Sequence, residues 1–328
     1  LDTLSESLPV SAGAGETIVY VDTAGQLTLA EREQIVPMSR SIAASGAAFT
    51  ERLPTAAEVE RNIERYGVYE PGRDYNEVIR GTYGTGDAPP TREAWASSKV
   101  LERVDTGVDR GTLPDEVDNS TSIHFPPAGN QGGEGSCTAF SFGYYIQTYT
   151  EAKEHGWDLS GTGWTGAWPG YPDSNQDKIF SPDFIYHQIN DGGDNGSNGT
   201  AAASLIIRLG GATWASMPYD TADSTSWPSE AAWREAARYR GRETGKYYFD
   251  DLPSGYFTIE DDSDIQLLKT LLDAGYIVST SIEANVVYDG LDANDVADPT
   301  TTWAGTNHAQ TIVGYKEGAA WNPASPDS

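Results

Sequence analysis

The sequence predicts an α+β fold in which a helical part precedes a part rich in strands. Helical patterns, opened by capping residues or closed by glycine, fill much of residues 136–274. After Gly275 the period changes, and residues 276–282 and 309–315 are rich in the β-branched and aromatic residues typical of strands. Because the helices come before the strands, this order favours an α+β protein over repeated βαβ units.

Residues 1–112 form a leading segment in this interpretation. Residues 16–22 have the composition of a short strand, and residues 28–35 and 55–66 are charged helical stretches. Thr55 is a candidate N-cap for the second of these helices. Polar, turn-forming residues follow between 72 and 90, and a change of composition near residue 112 predicts a domain boundary.

Residues 113–213 are predicted to be a helical half. Ser136 is a candidate cap for a helix over residues 137–154, and Ser181 followed by proline opens a short helix to about residue 190. An apolar helix over residues 200–209 ends at a pair of glycines.

Residues 214–328 are predicted to be a β-rich half. Two helices, at residues 229–240 and 263–274, precede its strands. The first strand follows Gly275, and the second begins after His308.

Composition narrows the possible functions. The 328 residues are 38% hydrophobic, which is enough for one large core or two modest ones. A net charge of −28, from 49 acidic and 21 basic residues, would be repelled by phosphate backbones, so nucleic acid is excluded as a partner. No run approaches the ~20 apolar residues of a membrane helix, so no membrane insertion is predicted. An acidic, lysine-poor surface fits a salty or calcium-rich exterior, although a GC-rich genome would also favour arginine over lysine.

A secreted or cell-surface protein is expected. The first residue is Leu1 and no charged-then-apolar leader follows, so any signal peptide is expected to have been removed already. Triplets at Asn119, Asn195 and Asn198 match the pattern of glycosylation acceptors. The single cysteine excludes an internal disulfide.

That cysteine, Cys137, lies at the start of a predicted helix, after a glycine-rich stretch. A sulfur nucleophile needs a lowered pKa, and the positive end of a helix dipole favours the thiolate. The glycines before it allow a substrate to approach the backbone closely, and Gln131 can direct its side-chain amide at a developing oxyanion beside the backbone N–H of Cys137. The alternative is a buried structural cysteine.

The stretch Gln131-Gly-x-x-Gly-Ser-Cys137-x-Ala-Phe-Ser141 resembles the active-site motif of papain-like cysteine peptidases. Asn307-His308-Ala309 ahead of an apolar strand resembles the histidine strand of that family. Weaker similarities link these two motifs, so the resemblance covers residues 113–315; they lie at residues 113–118, 180–186, 196–200 and 217–219.

The resemblance implies a two-lobed fold, with a helical half, an antiparallel β-sheet or barrel half and an active-site cleft between them. It implies hydrolysis of protein or peptide substrates through an acyl-thioester on Cys137, with His308 as general base and acid and Gln131 at the oxyanion. It also implies that the leading segment is a propeptide, so that the chain is a zymogen. The implied substrate-binding residues are Gly135, Ser136, Gly199, Thr200 and Asn307.

Several positions depart from the family pattern. Glu134 and Ser197 stand where the family has two bridged cysteines, Thr138 replaces a tryptophan, and Thr200 replaces a glycine that pairs with substrate. The asparagine that orients the histidine is expected beyond Ser328, with Asn322 in an insertion. The β-rich half would then be completed by a C-terminal segment or by self-assembly.

Other ligand sites and functions are weaker predictions. His124, His155 and His187 are expected to be structural or surface residues, and no metal site is predicted for them because no pair has ligand spacing. Acidic clusters at residues 191–198 and 292–298 could bind calcium or be solvated loops. A catalytically inactive papain-fold module in a surface assembly, or transpeptidation and amide transfer, are the alternatives to peptide hydrolysis.

Overall fold

The computed structural model describes residues 48–79, 83–105, 112–240, 255–289 and 305–318. The strand predicted at residues 16–22, the helix at residues 28–35, the acidic cluster at residues 292–298 and Asn322 lie outside these ranges. Within them the chain is a mixture of helices and strands, as predicted.

The described part of the leading segment contains β1 (Ala48–Arg52), α1 (Ala56–Tyr66), α2 (Arg92–Ser97) and β2 (Lys99–Asp105). Thr55 caps α1 as predicted, since its side chain accepts from the Glu58 N–H and the Glu58 carboxylate accepts from the Thr55 N–H. β1 pairs antiparallel with β2, and β2 pairs parallel with β6 (Gly255–Tyr256). A strand from the predicted β-rich half therefore joins the sheet of the leading segment.

The helix predicted after Ser136 is present. It consists of α3 (Cys137–Ala139), a π-helical stretch (Phe140–Gln147) and α4 (Thr148–His155) in direct succession. Tyr144 and Phe140 from its apolar side are buried in the core. Ser136 does not cap the helix through its side chain, because its Oγ lies 2.6 Å from the Tyr219 Oη instead.

Four further helices lie close to the predicted positions. They are α5 (Pro182–Tyr186), α6 (Gly199–Leu209), α7 (Glu230–Ala236) and α8 (Asp262–Asp273). The Ser181 side chain caps α5 as predicted, although α5 ends at Tyr186, earlier than expected. Gly210 ends α6 with a φ of 88°, and an added Cβ there would lie 1.8 Å from the Ala236 carbonyl oxygen. This contact fixes α6 against α7.

The remaining strands form separate two-stranded pairings. β7 (Val278–Ile282) pairs antiparallel with β8 (His308–Ile312), and the short α9 (Ala284–Asp289) follows β7. β3 (Glu116–Asp118) pairs with β9 (Gly314–Lys316), and β4 (Trp164–Thr165) with β5 (Tyr171–Pro172). In the described ranges these strands close no barrel, so the predicted barrel is not confirmed. None of the helices described is long and apolar enough to cross a membrane.

Candidate active site

Cys137 is the first residue of α3 and is 1% exposed. Its Sγ accepts a hydrogen bond from the Ala309 N–H at 3.3 Å, which places the sulfur against β8. Burial raises the pKa of the thiol, and the charge of Asp87 raises it further. The lowered pKa expected from the helix terminus is therefore wrong for this state, in which the thiol is neutral.

His308 is the first residue of β8 and pairs with Ile282 of β7. Burial lowers its pKa to about 4, so the imidazole is also neutral near pH 7. Its Nδ1 is buried without a hydrogen-bond partner among the described residues. The contact with Ala309 places the sulfur of Cys137 against the residue that follows His308, and in this state the thiol and the imidazole are both neutral.

The side-chain amide of Gln131 is already engaged in hydrogen bonds. The side-chain Nε2 donates to the Glu134 carbonyl at 2.8 Å, to the Gly84 carbonyl at 3.0 Å and to the Thr85 carbonyl at 3.4 Å. Two of these three acceptors belong to the leading segment. In this state the amide therefore binds backbone carbonyls of the chain itself.

Residues 83–88 run between the glycine-rich loop and β8, and are called the cleft segment below after the cleft that the sequence resemblance predicts. The Gly84 N–H donates to the Gly132 carbonyl at 2.8 Å, and the Asp87 N–H donates to the Asn307 carbonyl at 3.0 Å. The segment also pairs with Ser197, whose N–H donates to the Gly86 carbonyl and whose carbonyl accepts from the Ala88 N–H, each at 2.8 Å. The cleft segment thus has backbone hydrogen bonds to three separate parts of the site.

Glycine is required at two positions of the cleft segment. A Cβ on Gly86 would lie 2.2 Å from the Gly135 carbonyl oxygen, and Gly86 has a φ of 104°. A Cβ on Gly84 would lie 2.3 Å from the Glu134 carbonyl oxygen. The turn-rich composition of residues 72–90 was the signal for this segment in the sequence, but composition alone does not predict where such a segment docks.

Asp87 brings a carboxyl group to Cys137. The side chain is 5% exposed, and it accepts from the Thr138 Oγ1 at 3.4 Å. Burial raises its pKa to about 6, against the smaller opposing effects of hydrogen bonds from Ser281 and Thr138. Sequence reasoning missed this residue.

Three of the predicted substrate-binding residues lie at the cleft segment or next to it. The Gly135 backbone contacts Gly86, and Asn307 accepts from Asp87 as described above. Ser136 is fully buried against Tyr219 and offers no surface to a substrate in this state.

The other two, Gly199 and Thr200, occupy the first turn of α6. Asn198 caps this helix by accepting from the Ala201 N–H at 2.9 Å, and the Thr200 hydroxyl donates to the same Asn198 oxygen at 2.6 Å. Because the helix begins at Gly199, the residue that pairs with an extended segment is Ser197. Substrate binding at Gly199 and Thr200 stays a prediction.

A cavity of about 410 Å³ adjoins the site on the side of β8. Gln131, Ser141, Tyr288, His308 and Gln310 are among its lining residues, whereas Cys137 is not. The Ser141 Oγ donates to the Gln310 carbonyl at 3.0 Å, which ties the helix that begins at Cys137 to β8.

The carboxylates of the acidic cluster at residues 191–198 accept hydrogen bonds from other parts of the protein. Asp194 accepts from the Gly135 N–H and from the Tyr186 hydroxyl, each at 2.7 Å, and from Asn76 at 2.9 Å. Asp191 accepts from the Tyr69 hydroxyl. Calcium binding at this cluster stays a prediction.

The other histidines have defined partners. The His124 Nδ1 lies 2.6 Å from the Trp157 carbonyl, and the His155 Nε2 lies 3.2 Å from Glu151. His187 is buried beside Asp183.

Comparisons with known proteins give similarities at the level of structure alone. No protein-family model matches the chain, and no curated protein matches it. Among solved structures it is similar to xylellain, a cysteine protease from Xylella fastidiosa, with 19% identity and a TM-score of 0.41 over 77% of this chain and 80% of that one. It is also similar to the digestive procathepsin L2 proteinase of Tenebrio molitor larval midgut, with 17% identity and a TM-score of 0.46 over 90% of this chain and 82% of that one.

A recombinant stem bromelain precursor matches with 14% identity and a TM-score of 0.38, over 63% of this chain and 56% of that one. The chain spans between 54% and 82% of the length of six such structures. Five of the six are cysteine proteases or protease precursors by their descriptions, and the sixth is a structure of mite allergens. With identities below 25% and TM-scores below 0.5, the similarity carries no argument about the activity of this chain.

Proposed function

We propose that the chain is the zymogen of a papain-like cysteine peptidase, in which residues 83–88 occupy the cleft of the enzyme. The observation that carries the proposal is the 3.3 Å hydrogen bond from the Ala309 N–H to the Cys137 Sγ. It joins the start of one helix to the strand that begins with His308. A nucleophile needs a base within reach, and this contact supports His308, the residue before Ala309, as that base.

In the proposed reaction, His308 takes the proton of the Cys137 thiol and the sulfur attacks the carbonyl carbon of a peptide bond. The Gln131 Nε2 and the Cys137 N–H stabilise the oxyanion, and the imidazolium then protonates the leaving amine. Water hydrolyses the thioester and restores the thiol. The substrates are proteins or peptides, bound along Gly135, Ser197 and Asn307.

The state described here would not perform this reaction. The thiol and the imidazole are both neutral, and the Gly84 and Thr85 carbonyls accept from the Gln131 amide that would hold the oxyanion. Departure of the cleft segment would remove both carbonyls and the Asp87 charge. The contacts of the cleft segment therefore support a role for residues 1–112 as an inhibitory propeptide.

Export to the cell exterior belongs to the proposal as well. The large negative charge supports it more than the glycosylation triplets do. The Asn119 amide donates to the Leu272 and Tyr276 carbonyls, and Asn198 is buried, so neither side chain is free to carry a glycan. Of the three triplets, Asn195 is the acceptor that these contacts leave open.

The alternative is an inactive papain-fold module. It is favoured by the near-complete burial of Cys137 and by the unpartnered His308 Nδ1, to which no described side chain gives an orientation. Incubating the full chain across pH and salt, followed by a vinyl sulfone thiol probe, separates the two functions. The proposal expects a cut near residue 112 and labelling that Cys137→Ala abolishes; an uncut chain that stays unlabelled under all conditions supports the module.

A further inference from the structure

A second cluster of chemically reactive side chains lies behind the glycine-rich loop. Glu134, Asp183 and His187 are 1%, 1% and 6% exposed, and they bring one ligand atom each to within 4.8 Å of one another. Glu134 lies in the loop three residues before Cys137, whereas Asp183 lies in α5 and His187 directly follows that helix. The cluster therefore joins two separate parts of the fold.

The atoms that point into this cluster have no hydrogen-bond partners among the described residues. They are both carboxylate oxygens of Glu134, the Asp183 Oδ1 and the His187 Nε2. Two hydroxyl groups lie near Glu134, but the Tyr219 hydroxyl donates to the Gln131 carbonyl at 2.7 Å. The Ser136 hydroxyl is then the donor of its 2.6 Å bond to Tyr219. Neither proton is left for Glu134.

The outer atoms of the same side chains are held by the protein. The His187 Nδ1 lies 2.7 Å from the Ser226 carbonyl, which can only accept, so Nδ1 carries the proton and the lone pair is on Nε2. The Asp183 Oδ2 accepts from the Asp220 N–H at 2.8 Å, which leaves Oδ1 for the cluster. Metal-ligating histidines and carboxylates are oriented by outer contacts of this kind.

Four carboxyl groups, those of Glu134, Asp183, Asp194 and Asp220, are close enough to interact electrostatically. Two buried carboxylates are strongly unfavourable without a counter-ion, and a divalent cation would compensate those of Glu134 and Asp183.

The distances fit a small cation. The His187 Nε2 and the Asp183 Oδ1 are 3.5 Å apart. Two ligands at about 2.0–2.2 Å from a tetrahedral zinc ion are about 3.4 Å from each other. An imidazole nitrogen with two carboxylates suits zinc or a similar transition metal, whereas calcium prefers an all-oxygen shell.

We propose that Glu134, Asp183 and His187 form a binding site for a divalent transition-metal ion of the zinc class. The ion would tie the loop that positions Gln131 and Cys137 to α5, in a chain whose single cysteine allows no disulfide to do so. Its role is structural, and it takes no part in the proposed reaction. The sequence signal for this metal site is the spacing of Asp183 and His187. Residues four positions apart place their side chains on one side of a helical turn.

The test uses the full chain with Cys137→Ala, so that the thiol neither binds metal nor cleaves the protein. After removal of metals with a chelator, Zn²⁺ is titrated by calorimetry and Co²⁺ by its visible absorption. We expect one ion per chain, a higher Tm with Zn²⁺, and a Co²⁺ spectrum of a four-coordinate nitrogen and oxygen site. His187→Gln should weaken binding at least tenfold, and Glu134→Gln should do the same.

His155→Gln is the matched control and should bind as the parent does. Circular dichroism verifies that each variant is folded; if a ligand variant does not fold, the Co²⁺ spectrum of the parent still decides, since an octahedral all-oxygen spectrum overturns the proposal. Absence of stoichiometric binding, equal stabilisation by Ca²⁺, or binding unchanged in both ligand variants would also overturn it. None of these readouts depends on peptidase activity.

Discussion

The carboxyl group of Asp87 accepts a hydrogen bond from the hydroxyl of Thr138, the residue after Cys137, and after burial its charge is the next cause of the raised thiol pKa. The backbone of Asp87 is held by the hydrogen bond from its N–H to the Asn307 carbonyl, one position before His308. A residue of the leading segment therefore contributes to the raised pKa of the proposed nucleophile. The same carboxyl group also makes the docking of the cleft segment dependent on pH.

Replacing Asp87 with asparagine should remove one component of the pH dependence of stability. The folded-state pKa of about 6 lies above the ordinary value of about 3.9, so ionisation of Asp87 opposes burial of the cleft segment. The loss of stability is absent below the ordinary pKa, grows as pH rises, and is complete above the folded pKa. At that point it is about 3 kcal/mol.

Urea unfolding of the parent and of Asp87→Asn at pH 4 and pH 7 measures this difference. The parent should lose more stability between the two pH values than the variant does. Asp115→Asn, at an exposed position, should behave as the parent. Identical pH slopes in the parent and Asp87→Asn would show that the carboxyl group is not buried in solution.

Gly86→Val should expel the cleft segment without altering a residue proposed to catalyse. The new Cβ would lie 2.2 Å from the Gly135 carbonyl oxygen, and valine strongly disfavours a φ of 104°. Together these effects make docking less favourable by about 2–4 kcal/mol. We expect thiol-probe labelling of Cys137 to rise at least about tenfold.

Gly161→Val is the control for Gly86→Val. A Cβ added at Gly161 would meet no atom within 4 Å, and Gly161 has no positive φ. Cys137 in Gly161→Val should therefore be labelled at the parental rate. If both variants label at the parental rate, the cleft segment does not limit access to the thiol.

Local signals in the sequence predicted much of the fold. Thr55 and Ser181 cap helices as predicted, because the hydrogen bond of an N-cap needs only residues two or three positions further along. Gly210 ends α6 for an equally local reason. The helix at Cys137 and the strand at His308 were also predictable from composition and motif.

Features that depend on distant residues were not predictable in this way. In residues 196–200, Asn198 caps α6, so Thr200 lies in the helix and Ser197 is the residue that pairs with the cleft segment. The docking of Gly86 requires a carbonyl about fifty positions further along the chain. Neither contact leaves a periodic pattern that a single sequence reveals.

The reactivity of Cys137 should depend on His308 only after the cleft segment has left. In the full chain the thiol pKa is raised and the imidazole pKa is about 4, so titration of His308 should add no step near neutrality to the rise of iodoacetamide alkylation with pH. In Gly86→Val, exposure returns both groups toward their ordinary pKa values, and a step near the ordinary histidine pKa of about 6.5 should appear. Adding His308→Gln should remove that step, whereas adding His155→Gln should not; a step that survives His308→Gln would assign the activation of the thiol to another group.

Gln131→Ala should have two opposite effects, because its amide is proposed to serve two acceptors. In the zymogen the Nε2 holds the Gly84 and Thr85 carbonyls, so its loss should loosen the cleft segment and speed proteolysis of the leading segment severalfold. In the activated enzyme the same loss should lower kcat by about 10²- to 10³-fold, as for removal of an oxyanion donor. Gln266→Ala, at an exposed position of α8, should change neither rate. Faster proteolysis with an unchanged kcat would assign Gln131 to the inhibited state alone and leave the oxyanion to backbone donors.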